Sequence, residues 1–239
     1  MPTRDFPFYD GRPVALSSRQ WGVLMLAVAL GFAALHLPVP ERLHADTWLP
    51  PVLFVALPLL ALRAMAGPAW RALFAPVAWR DVGLALGIAA LNIAATLLIA
   101  LGVERWFGAA ENPAIAMLAT ADLPTVLRFL LESLPQLLGE ELLTLLPFLA
   151  VLAAAHRRGW RRRPALVAAW LLSAVVFAAA HLPTYDWHVA QCFLVIGSAR
   201  LILSLAYLRT RNVWVSTLAH VFNDWLLFAA VLAFETGPV

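Results

Sequence analysis

The chain has 239 residues, 62% of them hydrophobic and only 13% charged, with a formal net charge of +3. Its mean hydropathy is +0.81, and soluble domains carry about 45–50% apolar and about 25% charged residues, so a soluble fold is excluded for want of a polar skin. A basic balance can point to nucleic acid, but here every basic residue is arginine and the arginines cluster between apolar runs, as in the cytoplasmic loops of a membrane protein. Nucleic acid is therefore not an expected partner; the lipid bilayer is.

A crossing takes about 20 apolar residues at about 1.5 Å each. In chain order, residues 20–37, 49–66, 82–103, 124–155, 164–181, 187–208 and 213–234 meet that length or nearly so. The expected fold is all-α, a polytopic bundle of about seven transmembrane helices. Residues 1–239 make one integral membrane domain, with N-terminal spans over 1–123 and a motif-bearing core over 124–239.

The first span follows a basic stretch, and no small-residue cleavage site precedes Pro38, so it reads as a retained signal anchor. After the second span, Gly67 to Arg80 sets Trp70, Leu73, Phe74 and Val77 among arginines, which predicts an amphipathic helix on the cytoplasmic face. The fourth span is too long for one perpendicular crossing. Pro135 is expected to divide it into an interfacial piece and a span beginning near Gln136.

Arginines test this division independently. With a cytoplasmic N-terminus, thirteen of the seventeen fall in inside segments and three (Arg42, Arg105, Arg128) outside, while Arg200 lies within the sixth span. That is the positive-inside pattern of a protein in the inner cell membrane with arginine-rich loops in the cytoplasm. Trp21, Trp48, Trp79, Trp106, Trp160, Trp187 and Trp214 fall near predicted span ends, where an aromatic belt sits. Cys192 is the single cysteine, so no internal disulfide can form.

Function is sought where ionisable residues enter the spans, because each costs roughly 2.5–3.5 kcal/mol on insertion scales. The fourth span holds Gly139-Glu140-Glu141, followed by Thr144 and Pro147. Adjacent helical positions point about 100° apart, so the two glutamates take different roles. Two carboxylates this close in a low dielectric resist being ionised together, which suits one of them to general-base work. Pro147 leaves the Leu143 carbonyl without its helical donor, and Thr144 is expected to help satisfy it.

The fifth span ends with Phe177 and His181, and the last holds His220, Asn223 and Asp224. Both i, i+4 pairs share a helix face, so Phe177 lies beside His181 and Asp224 can orient the His220 imidazole or fix its tautomer. Each cluster alone is also compatible with a structural role. Together, acid, base and hydrogen-bond donors on three spans form the set that amide hydrolysis needs.

These residues also carry a resemblance. Glu140-Glu141-Leu142-Leu143-Thr144-Leu145, then Phe177-x-x-x-His181, then His220-x-x-x-Asp224 resemble the motifs of the CAAX protease and bacteriocin-processing (Abi) family of intramembrane proteases. The Ras-converting enzyme is a member. The likeness covers roughly residues 135–228, and one departure stands out: Leu145 occupies the place of the family's usual arginine. Arg200 is the candidate substitute.

The resemblance implies an intramembrane endopeptidase acting on a lipidated, leader or membrane-bound substrate. Glu140 would activate water and Glu141 orient it or share the proton. His181 and His220 would stabilise the oxyanion or position the water, and Asp224 would hold His220. No cofactor is expected in the favoured glutamate mechanism; zinc on Glu140, His181 and His220 is the alternative. Two other functions stay open: a proton relay or transporter, and an inactive immunity or scaffold protein of the same fold.

Overall fold

The structure, a computed structural model, describes residues 5–36 and 48–235. Its helices are α1 (Ser18–Ala34), α2 (Leu49–Ala66), α3 (Trp79–Phe107), α4 (Pro113–Ala119), α5 (Leu123–Arg157), α6 (Arg162–Ala180), α7 (Gly197–Thr210) and α8 (Val213–Glu235). No strand occurs among the described residues. Among the described residues, five helical stretches are long and apolar enough to cross a membrane: Leu49–Leu73, Trp79–Phe107, Leu123–Arg157, Arg162–Ala180 and Gln191–Thr210. The shorter α1 and the apolar α8 lie where the two remaining spans are expected. The chain is an all-α integral membrane protein. Leu37, at the end of the first expected span, and Arg42 lie outside the described residues.

Local chemistry sets the helix ends. Ser17 caps α1 in a capping box, its hydroxyl accepting from the Gln20 N–H while the Gln20 side chain accepts from the Ser17 N–H. Gly67 ends α2 in a positive-φ conformation (φ 55°) that a side chain would resist.

Three expectations are corrected. The amphipathic helix over Gly67 to Arg80 does not form: Gly67–Leu73 is a 3-10 helix, residues 74–78 are not helical, and α3 begins at Trp79. Pro76 would fall in the interior of such a helix, where it has no N–H to donate and its ring would clash with the Ala72 carbonyl. Pro135 does not divide the fourth span either, since α5 runs unbroken for 35 residues through both Pro135 and Pro147. Neighbouring groups and small local adjustments allow proline inside membrane helices. Finally, Trp79 and Trp106 are 90% and 78% exposed, as a belt requires, whereas Trp21 is buried.

The chain divides into two compact units, one of Met1–Pro76, Glu132–Ser173 and Arg211–Val213, the other of Val77–Leu131, Ala174–Thr210 and Trp214–Val239. In the first, α1 packs on α2, and the fully buried Phe54 is flanked by two glycines. A Cβ on Gly31 would stand 3.0 Å from the Phe54 carbonyl oxygen, and one on Gly139 only 2.6 Å from Phe54 Cγ. Small residues let membrane helices approach this closely.

The segment before α1 belongs to the same unit. Phe6 lies edge-on to Phe148 and Tyr9 to His156, each at 5.3 Å. Arg162 donates to the Asp5 carboxylate and to the Tyr9 hydroxyl. The Arg162 hydrogen bond holds the Asp5 carboxyl well below the usual carboxylate range.

In the second unit, α3, α7 and α8 share a core of Ala85, Ile88, Leu203, Ala206, Val215 and Ala219. A π-helical turn, Gln191–Ile196, leads into α7. The link between α6 and that turn is clamped to the link between α3 and α4. The Gln191 side-chain amide accepts from the Ala110 N–H (2.8 Å) and donates to the Ala110 carbonyl (3.0 Å). His188 donates from Nε2 to the Phe107 carbonyl (3.0 Å), and Asn112 donates to the Tyr185 hydroxyl (3.2 Å).

Candidate functional site

In the first unit, α5 carries the glutamate pair at its buried centre. Glu141 is wholly buried, and Glu140 retains 8% exposure. Gln136, one turn earlier, donates to Glu140 Oε1 at 3.1 Å. The close fit of Gly139 against the Phe54 ring fixes the backbone immediately before Glu140. Thr144 does not serve the Leu143 carbonyl as expected; its hydroxyl donates to the Glu140 carbonyl at 3.1 Å. A threonine hydroxyl reaches back about one helical turn, to the carbonyl at i−4, rather than to its immediate neighbour.

In the second unit, Phe177 on α6 gathers three of the expected residues. Its ring centroid lies 4.5 Å from that of His181 and 6.3 Å from that of His220 on α8. The guanidinium carbon of the fully buried Arg200 stands 4.9 Å from the same ring centre, a cation–π contact. His181 follows the last residue of α6, and its Nδ1 is 2.8 Å from the Phe177 carbonyl. A carbonyl only accepts, so Nδ1 carries the proton, and in the neutral ring Nε2 holds the lone pair.

His220 and Asp224 sit as the i, i+4 spacing predicts, with His220 Nε2 3.8 Å from Asp224 Oδ1. That separation is longer than a hydrogen bond. Asn223 instead donates to Asp224 Oδ1 at 2.9 Å. Its own Oδ1 accepts from Asn92 Nδ2 at 2.8 Å.

Asn92, on α3 and 1% exposed, is a residue the sequence reading missed. The signal was present as an amide within an apolar span, one turn before Thr96, whose hydroxyl donates to the Asn92 carbonyl. A search confined to ionisable groups passes over it.

The expected residues thus fall into two described sets. Glu140, Glu141 and Thr144 belong to the first unit; Phe177, His181, Arg200, His220, Asn223 and Asp224 belong to the second. Among the described residues no group of three or more His, Cys, Asp or Glu is arranged to hold a metal ion.

Two comparisons found nothing: no curated protein and no solved structure matches the chain significantly. Against protein-family models, residues 122–226 match the type II CAAX prenyl endopeptidase Rce1-like model. The match spans all three motifs and supports a protease. It agrees with the resemblance carried by Glu140-Glu141, Phe177-x-x-x-His181 and His220-x-x-x-Asp224.

Proposed function

We propose that the chain is an intramembrane endopeptidase in which Glu140 activates a water molecule for attack on the scissile carbonyl of a lipidated, leader or membrane-bound substrate. The observation that carries this reading is the coincidence of two independent lines on the same residues. The match to a prenyl endopeptidase model encloses every motif residue, and of the polar ones Glu140, Glu141 and His220 are buried and His181 and Asp224 part-buried in a mainly apolar chain.

The chemistry assigns a role to each. Glu140, accepting from Gln136, takes the proton of the attacking water, and Glu141 orients that water or shares its proton. His181 bonds its Nδ1–H to the Phe177 carbonyl and keeps Nε2 for the water or, when protonated, for the oxyanion. His220 supplies the second imidazole, with Asp224 beside it. Arg200, a buried cation over Phe177, replaces the arginine that Leu145 displaces. The N-terminus and the arginine-rich loop between α5 and α6 face the cytoplasm.

The test compares purified wild type with Glu140→Ala in liposomes, offering a farnesylated C-terminal peptide and an unlipidated leader peptide. Cleavage by wild type that falls by at least about 10²-fold in the variant, the scale of a lost general base, supports the reading. Ion flux without cleavage replaces it with a proton relay.

A further inference from the structure

We propose that Asn92 is a positioning residue: through Asn223 it holds the Asp224 carboxylate beside His220. This deepens the hydrolytic reading above and rests on it for its catalytic consequence, though not for its geometry.

The argument starts from donors and acceptors. A side-chain amide can be turned end for end, exchanging its oxygen and its NH2. Asn223 is buried, so its orientation is set by what it meets. Asn92 Nδ2 donates at 2.8 Å and therefore requires the oxygen of Asn223 on its side. The Asn223 NH2 is then turned to the other side, where it donates to Asp224 Oδ1 at 2.9 Å. The same Oδ1 lies 3.8 Å from His220 Nε2. The Asn92 donor and the Asp224 acceptor thus demand the same orientation of Asn223, and together they tie the carboxylate to α3. With Asn223 turned over, an oxygen would face that carboxylate instead.

Stability alone does not account for Asn92. Its Oδ1 is buried and has no hydrogen-bond partner among the described residues, an arrangement that is unfavourable in an apolar span. Replacing Asn92 with the similarly sized leucine removes this orphaned acceptor and orphans Asn223 Oδ1 in its place. One unmet acceptor is exchanged for another, so the folded state should lose little while Asn223, and with it Asp224, loses its anchor on α3.

The full-length protein in nanodiscs tests this without substrate. With 15N-labelled histidine, the His220 resonances, identified by their loss in His220→Gln, should move in Asn92→Leu while those of the other five histidines stay. With cleavable peptide, Asn92→Leu should lower kcat by about tenfold or more with KM little changed, as expected when a reacting group is misplaced. Adding Asn223→Leu to Asn92→Leu should cost little further, because both act through one interaction. An unmoved His220 resonance overturns the proposal. So does an unchanged kcat, or a loss of activity matched by an equal loss of folded protein. A wild type that cleaves nothing sinks the hydrolytic reading, and the histidine spectrum then decides the positioning role by itself.

Discussion

Replacing Gly139 with alanine is the sharpest packing test this chain offers. The added methyl would stand 2.6 Å from Phe54 Cγ and 2.9 Å from Cε1, well inside van der Waals contact. The ring cannot simply swing aside, because Phe54 is wholly buried and its carbonyl already abuts the Gly31 position. Relief must come from backbone movement, for which overpacking measurements give about 1–3 kcal/mol. At about 2 kcal/mol the unfolding equilibrium shifts roughly thirtyfold. Reversible unfolding in mixed detergent micelles, titrated with a denaturing detergent, measures that shift. In a Phe54→Ala background the added methyl meets none of these atoms, so the double variant Phe54→Ala/Gly139→Ala should be less destabilised than the two single costs summed. Because Glu140 is the next residue, peptide cleavage should fall together with stability in Gly139→Ala. A Gly139→Ala protein as stable as wild type, or a double variant in which the two costs simply add, refutes the packing argument.

Two further outcomes are expected. The Asp5–Arg162 pair is partly exposed, so Asp5→Asn should cost about 0.2–1 kcal/mol at pH 7, less at high salt. Because the folded Asp5 carboxyl titrates below the unfolded value of about 3.9, its contribution is present above that pH and fades as pH falls below it. The wild-type and Asp5→Asn unfolding curves should therefore converge in strong acid; a gap that widens there contradicts the pairing. A chelator should leave peptide cleavage intact under the glutamate mechanism. Inhibition reversed by added zinc selects instead the three-ligand chemistry of Glu140, His181 and His220.

The spans were legible because lipid demands helices with long apolar runs, and α2 coincides with its expected bounds. What the sequence hid follows from side-chain direction and from proline. Trp21 and Trp79 are indistinguishable as tryptophans near span ends, yet one faces protein and the other does not. Pro135 looked like a break, but the helix runs through it. The His220–Asp224 spacing was readable; that Asn223 supplies the hydrogen bond to the carboxylate was not. Asn92 lies 131 residues from Asn223, a distance that local periodicity cannot bridge.

The clamp on residues 107–112 has an evolutionary consequence. His188 and Gln191 hold Phe107 and Ala110 only by main-chain atoms, through carbonyls and an N–H that nearly every residue type provides. The gripped positions can drift in side-chain identity without loosening the grip. The gripping histidine and glutamine have no such latitude, so tolerance to substitution should be lopsided across a joint whose two halves are equally necessary.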